Sequence, residues 1–206
     1  MKKKFINGCI NMINKHNANF DSTKIAEIKY GLEAIYILIT KTIFIFTIAY
    51  FLNLTIELLI FVLLYNLIRM PSFGLHATKS SICLFSSSVI FLLVPYVCTI
   101  IYMPILSKGI IGIICILLMF KNAPADTYKR PIINKKRRRT YKFLSTIIAI
   151  IFALLSLLSQ NNFLSNALLL SLVVQCFMVS PMIYKLFKLP YNNYKRYITH
   201  NSINVV

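Results

Sequence analysis

Arg69–Ser88, RMPSFGLHATKSSICLFSSS, is the stretch on which the disposition of the whole chain turns. It is a short polar interval between two long apolar runs, and it carries His76 and, further on, Cys83. A neutral imidazole and a thiol are the side chains that together make a thiolate nucleophile near neutral pH. What flanks the interval decides whether the pair sits at a membrane edge or in a soluble fold.

The flanks are apolar throughout. Of 206 residues 58% are hydrophobic, none is Trp, and the mean hydropathy is +0.71. A soluble domain of this size cannot hide so much apolar surface, so lipid is the solvent for most of the chain. Apolar segments run over 32–52, 54–68, 82–103, 104–120, 143–159 and 163–184. Several approach the ~20 residues that a helix needs to cross a bilayer, while the second and fourth are shorter. The sequence therefore predicts an all-α, polytopic integral membrane protein with about six transmembrane or partly inserted helices. Four full spans with two partly inserted segments is the alternative count. Pro95 and Pro181 lie inside their segments and are expected to kink them.

Residues 1–31 open with Lys2, Lys3 and Lys4, followed by Phe5, Ile6, Cys9, Ile10 and Ile13, with Asn7, Asn11 and Asn14 between them. No uninterrupted apolar core follows the lysines, which argues against a cleavable signal peptide. An N-terminal amphipathic interfacial helix fits better. Residues 32–206 then form a single transmembrane helical domain with a basic loop at 121–142.

The formal charge of +18 comes from 23 Lys and Arg against 5 Asp and Glu. With the N-terminus inside, every Lys and Arg except Lys41 and Lys108 falls at the inner side. That asymmetry predicts cytoplasmic N- and C-termini, a 69–88 interval near the cytoplasmic face, and contact with anionic membrane lipids. Nucleic acid is excluded as a partner, because the basic residues line one membrane face rather than one folded module. The five cysteines, Cys9, Cys83, Cys98, Cys115 and Cys176, are scattered with no CxxC, and only three histidines exist. Reduced thiols, no metal and no cofactor are the expectation.

The spacing of the pair carries a condition. In a straight helix His76 and Cys83 would lie ~10 Å apart along one face, so a working pair needs the backbone to bend between them. Gly74 and Pro71 permit such an entry. Ser80 or Ser81 would cap the following helix, placing Cys83 in its first turn, where the helix dipole and free backbone N–H groups favour a thiolate. His76 would take the thiol proton and later return it to a leaving amine. The ordinary reading of a lone membrane cysteine is an apolar filler, and Cys98, Cys115 and Cys176, far from any histidine, keep that reading.

Arg69, Gly74, His76 and Cys83 form R-x4-G-x-H-x6-C, and Ala123-Pro124-Ala125-Asp126-Thr127 with Lys129-Arg130-Pro131-Ile132 follows later. With these motifs in this order the chain resembles the accessory gene regulator B (AgrB) family, over most of its length. The resemblance implies a membrane-embedded cysteine endopeptidase of a Gram-positive cell membrane. Such an enzyme cleaves the acidic C-terminal tail from the precursor of an autoinducing peptide (an AgrD-like peptide) used in quorum sensing. By that analogy Cys83 forms the thioester, His76 assists, and the precursor's own Cys or Ser side chain captures the acyl group as a thiolactone or lactone. Water must be kept from that exchange, which a site at the membrane edge suits. Arg69 and Gly74 are carried as site-supporting. Arg69 either holds a carboxylate or anchors the inner edge by snorkelling. The run Lys135, Lys136, Arg137, Arg138 and Arg139 has the sign to meet the acidic tail, or lipid headgroups. A homodimer is implied by analogy alone. Asp126, beside Lys129 and Arg130, reads as a member of a structural ion pair. Against the peptidase stand a small polytopic transporter or exporter component and a non-enzymatic membrane scaffold. A transporter is expected to show internal repeats with paired broken helices, and no convincing repeat is present.

Overall fold

The computed structural model describes residues 2–16, 21–75, 80–127 and 131–195. The described residues form eight helices, with no β-strand beyond one isolated bridge: α1 (Lys2–His16), α2 (Ser22–Phe51), α3 (Thr55–Ser72), α4 (Ser80–Ile100), α5 (Ile105–Asn122), α6 (Lys135–Leu158), α7 (Asn162–Val179) and α8 (Pro181–Leu186). Five of them, α2, α3, α5, α6 and α7, are long and apolar enough to cross a membrane, and Leu84–Ile100 of α4 is a shorter apolar stretch. Large apolar side chains such as Leu59, Leu63, Ile113, Leu117 and Leu154 stand exposed along these helices, as lipid-facing positions must. The chain is an all-α polytopic membrane protein.

Two compact units divide the chain, Met1–Leu52 and Asn53–Val206. In the first, α1 is amphipathic: Ile6, Cys9, Ile10 and Ile13 are buried or half-buried, while Lys4, Asn7, Asn11 and Lys15 are exposed. Its Phe5 ring packs on Tyr36 of α2 with centroids 5.7 Å apart.

In the second unit α7 is the hub, packed against α3, α4, α5 and α6. Ser165, Ala167 and Ser171 are buried along it, and small residues of this kind let neighbouring backbones approach closely in lipid, where helices gain no hydrophobic drive from one another. A similar close approach joins α5 to α6, because a Cβ on Gly112 would stand 3.2 Å from Ala153 Cβ. Polar pins lock one end of the bundle. Asn166 Nδ2 donates to Cys98 O at 3.1 Å and Ile101 O at 2.7 Å, tying α7 to the end of α4. Ser156 and Ser165 exchange hydroxyl-to-carbonyl bonds of 2.9 and 2.5 Å. Lys108, one of the two cations not assigned to the inner side, lies in the first turn of α5, 8% exposed, with Nζ donating to Ser165 Oγ at 2.6 Å.

The other end is held by a strap. Pro181 does not kink a span: α7 stops at Val179, Ser180 caps α8 through Met182 N, and Pro181 takes the opening position of α8. Beyond α8 the chain returns over Asp126, which is 3% exposed. The Asp126 carboxylate accepts from Asn193 N at 3.1 Å and Tyr194 N at 2.8 Å, and its carbonyl accepts from Tyr184 Oη at 3.2 Å. These are its partners among the described residues; Lys129 and Arg130, the ion-pair neighbours expected from the sequence, lie outside them. The Arg138 guanidinium stacks on the Tyr194 ring, 3.3 Å from its centroid, so the strap also reaches α6.

The interval expected as a loop at 121–142 is shorter than that. α5 runs to Asn122, and α6 opens at Lys135 with the Asn134 side chain accepting from Lys136 N and Arg137 N. The basic run is therefore the start of a capped helix.

Two expectations follow. Gly112→Leu overpacks the α5–α6 contact, costs about 1–3 kcal/mol and lowers the thermal midpoint in detergent; Gly109→Leu, with nothing within 4 Å of its would-be Cβ, leaves the midpoint unchanged. Asp126→Ala takes the acceptor from two backbone N–H groups, a loss of about 1–3 kcal/mol. Limited proteolysis of residues 187–195 accelerates in that variant, and Asp126→Asn, which keeps an oxygen, falls between it and the wild type.

Candidate functional site

The site is built where α3 ends. Pro71 lies in the last turn of α3, and the chain then turns through Phe73 at φ +57° and Gly74 at φ +112°. A Cβ at Gly74 would be 3.0 Å from Met178 O, so both the dihedral and the space require glycine. The N–H groups of Phe73, Gly74 and Leu75 and the carbonyls of Ser72, Phe73 and Leu75 all find partners. Gly74 N donates to Ala125 O and Ala125 N to Ser72 O, both at 3.0 Å, forming the parallel bridge between Phe73 and Ala125. Leu75 N donates to Met178 O at 3.0 Å. Gln175 Nε2 donates to Ser72 Oγ at 2.7 Å and to Phe73 O at 2.8 Å. Three parts of the bundle, the end of α3, the segment after α5 and the end of α7, thus converge on residues 72–75.

Arg69 belongs to this turn. Its Nη1 donates to Tyr65 Oη at 2.6 Å and its Nη2 to Leu75 O at 3.2 Å. A phenol and a carbonyl engage it, and it braces the residue directly before His76. Gly74 supplies a turn ahead of His76, and the bend expected between His76 and Cys83 falls outside the described residues. His76 through Lys79 lie outside the described residues, as do the side chains of Ser80, Ser81 and Cys83. The backbone of those three is described: α4 opens at Ser80, with Ser81 next and Cys83 at the end of its first turn. Leu75 is therefore the last described point on the approach to His76.

The basic run reaches the same turn through aromatic rings. Tyr141 packs edge-on against Phe73 with centroids 5.1 Å apart, and its hydroxyl accepts from Arg137 Nε and Nη2 at 3.1 and 3.0 Å. Lys135, Lys136, Arg137 and Arg139 are exposed, and Arg138 is half-buried under Tyr194. No acidic residue lies in the first turn of α6. Cations at a helix N-terminus oppose the dipole, so this end of the helix gains from an anionic neighbour.

Below the turn lies a phenol pair outside the spans. Tyr184 and Tyr191 pack edge-on at 5.1 Å, and Tyr191 Oη donates to Asn122 O at 3.4 Å. Burial pushes the Tyr184 phenol up, with the Asp126 charge and then Tyr191 adding to it and Arg69 partly offsetting them. Burial raises Tyr191 too, against a smaller opposing pull from Arg138. Both phenols therefore remain protonated donors across the physiological range.

The remaining cysteines are accounted for by packing. Cys98, Cys115 and Cys176 are buried, and Cys176 Sγ donates to Cys115 O at 3.4 Å. Among the described residues no group of three or more His, Cys, Asp or Glu could hold a metal ion. Sequence reasoning missed Gln175 and the strap. Gln175 had a signal, an amide within an apolar run; Asn193 and Tyr194, in a polar segment, had none.

Comparison with known proteins places this arrangement. Residues 6–179 match the AgrB family, Accessory gene regulator B. An AgrB-like protein of Listeria monocytogenes serotype 4b (strain CLIP80459) is 33% identical over 191 residues, covering 90% of this chain and 91% of its own. One of Clostridium acetobutylicum is 28% identical over 186 residues, covering 88% and 87%. Accessory gene regulator protein B of Staphylococcus aureus (strain bovine RF122 / ET3-1) is 30% identical over 169 residues, covering 81% and 88%. No solved structure matches. A family match spanning nearly all of the membrane-crossing helices, together with relatives similar over almost their whole lengths, shows that the chain belongs to the accessory gene regulator B family.

Proposed function

We propose that this chain is a membrane-embedded cysteine endopeptidase of a quorum-sensing system, which removes the acidic tail of an autoinducing-peptide precursor and cyclises what remains. The observation that carries the reading is the densely bonded turn at residues 72–75. It ends α3, redirects the chain immediately before His76, and is followed by a helix whose first turn contains Cys83. That order supports the bend which a His76–Cys83 pair requires. A strained, over-determined backbone is also what a positioned site needs.

In this mechanism His76 withdraws the Cys83 proton and the thiolate attacks a peptide carbonyl of the precursor. Backbone N–H groups at the start of α4 face the developing oxyanion. His76 then protonates the leaving amine, and the acidic tail departs. The thioester on Cys83 is resolved by the precursor's own thiol or hydroxyl, which gives the ring and restores the enzyme thiol. The cationic start of α6, one ring away from the turn through Tyr141 and Phe73, draws the acidic tail to the same edge, and anionic lipids compete for those charges.

The test uses the full chain in lipid nanodiscs with the precursor encoded beside its gene, a peptide with an amphipathic leader, a central Cys or Ser and an acidic tail. Cys83→Ala lowers cleavage by at least about 10³-fold, the usual order for losing a nucleophile. Replacing Cys98, Cys115 and Cys176 together retains activity. Cleavage undiminished in Cys83→Ala would sink the peptidase. Lys135, Lys136 and Arg139 changed together to Gln raise KM by roughly three- to tenfold, at about 0.2–0.5 kcal/mol per exposed charge, with kcat unchanged. The difference shrinks in high salt.

A further inference from the structure

Two amides interrupt the apolar and hydroxyl side chains that make up the buried part of α7: Asn166 near one end and Gln175 near the other. Asn166 ties α7 to α4. Gln175 does something different. It is 0% exposed, and its Nε2 donates to Ser72 Oγ and to Phe73 O, so both amide protons are committed to one turn. Ser72 Oγ passes its own proton to Ile68 O at 2.5 Å, which links the amide to the last turn of α3. The Oε1 atom of Gln175 is buried with no partner among the described residues.

An apolar side chain would fill this place in α7 with no orphaned oxygen. An amide that leaves an acceptor unpaired in a dry interior is disfavoured unless its donors achieve something apolar packing cannot. What they hold is Phe73, a non-glycine residue at φ +57°, directly ahead of Gly74 at φ +112°. Backbone in that region persists only where the surroundings impose it. The Phe73 carbonyl is drawn toward α7 by Gln175, and Leu75 N is drawn toward Met178 O one helical turn further along. Gln175 and Met178 together set the direction in which the chain leaves α3.

We infer that Gln175 is a positioning residue for the Cys83 chemistry: through Ser72 and the Phe73 carbonyl it fixes the turn from which the chain runs on to His76. It touches neither substrate nor reacting atoms. The kinetic half of this inference rests on the peptidase reading, whereas the alkylation half does not need it.

The experiment uses the full chain in nanodiscs and iodoacetamide as the probe, with each cysteine followed by peptide mass. Cys9 on α1 serves as an internal clock. Gln175→Met keeps the length and removes the donors. It is expected to slow Cys83 alkylation about tenfold relative to Cys9, with Cys98, Cys115 and Cys176 as protected as before. Precursor cleavage loses about tenfold in kcat with KM within roughly twofold. Wild-type alkylation and kcat in this variant overturn the inference. So does a general rise in labelling of the three buried thiols, which would mean that Gln175 merely holds the bundle together. Should Gln175→Met fail to fold, Ser72→Ala removes one acceptor of the amide without changing α7. It gives a smaller slowing of Cys83 in the same sense, and a wild-type rate there overturns the inference as well. Cleavage that survives Cys83→Ala dismisses the peptidase, while the alkylation ratio still decides whether Gln175 governs the thiol.

Discussion

A peptide group that leaves its helix at the edge of hydrocarbon has no water to turn to, and each one left unpaired costs several kcal/mol. The end of the bundle around residues 72–75 is arranged to meet that constraint. Where α3 stops, the freed donors and acceptors are taken up by Ala125, Met178 and Gln175, drawn from elements far apart in sequence. The same bonds that satisfy the backbone also make it rigid. The demand for saturation thereby produces an unusual and fixed conformation immediately before His76.

α7 makes this possible because it works at both ends. Its apolar and small residues pack α3 through α6 around it, while its polar residues gather near the two membrane edges. Asn166 and Ser165 secure α4, α5 and α6 at one edge, and Gln175 secures α3 at the other. Bonds of this kind between spans are worth on the order of 0.6 kcal/mol each, so they select one arrangement among several well-packed ones more than they add stability. The Arg137–Tyr141–Phe73 series extends that order to the cationic start of α6, and the strap over Asp126 extends it to Tyr194.

The parts of this fold that were legible in the sequence are those set by local composition. Apolar runs marked the spans, and the periodic isoleucines after the N-terminal lysines marked α1. Gly74 and Pro71 marked the turn that ends α3. Element ends were less legible, because they depend on single caps. Asn134 starts α6 at Lys135 even though the following residues are strongly charged, and Lys and Arg are good helix formers. Ser180 with Pro181 splits what reads as one apolar segment. The backbone partners of Asp126 were hidden for a related reason. Adjacent cations are visible in sequence, whereas the backbone donors of Asn193 and Tyr194 come into reach only once α5 through α8 have packed. Arg69 is similar: its bonds to the Tyr65 hydroxyl and the Leu75 carbonyl arise only once the chain has turned after α3.

The clasp at Asp126 also has a consequence in time. Its two backbone donors lie 67 and 68 residues further along the chain. During synthesis α5 and the turn at Ala125 leave the ribosome long before anything can close over them. A nascent chain can thus thread its spans into the bilayer while this corner is still open, and the corner tightens only after α8 and the strap have been delivered. Newly inserted protein acquires its membrane topology before this corner is closed, so that insertion precedes the final locking of the bundle.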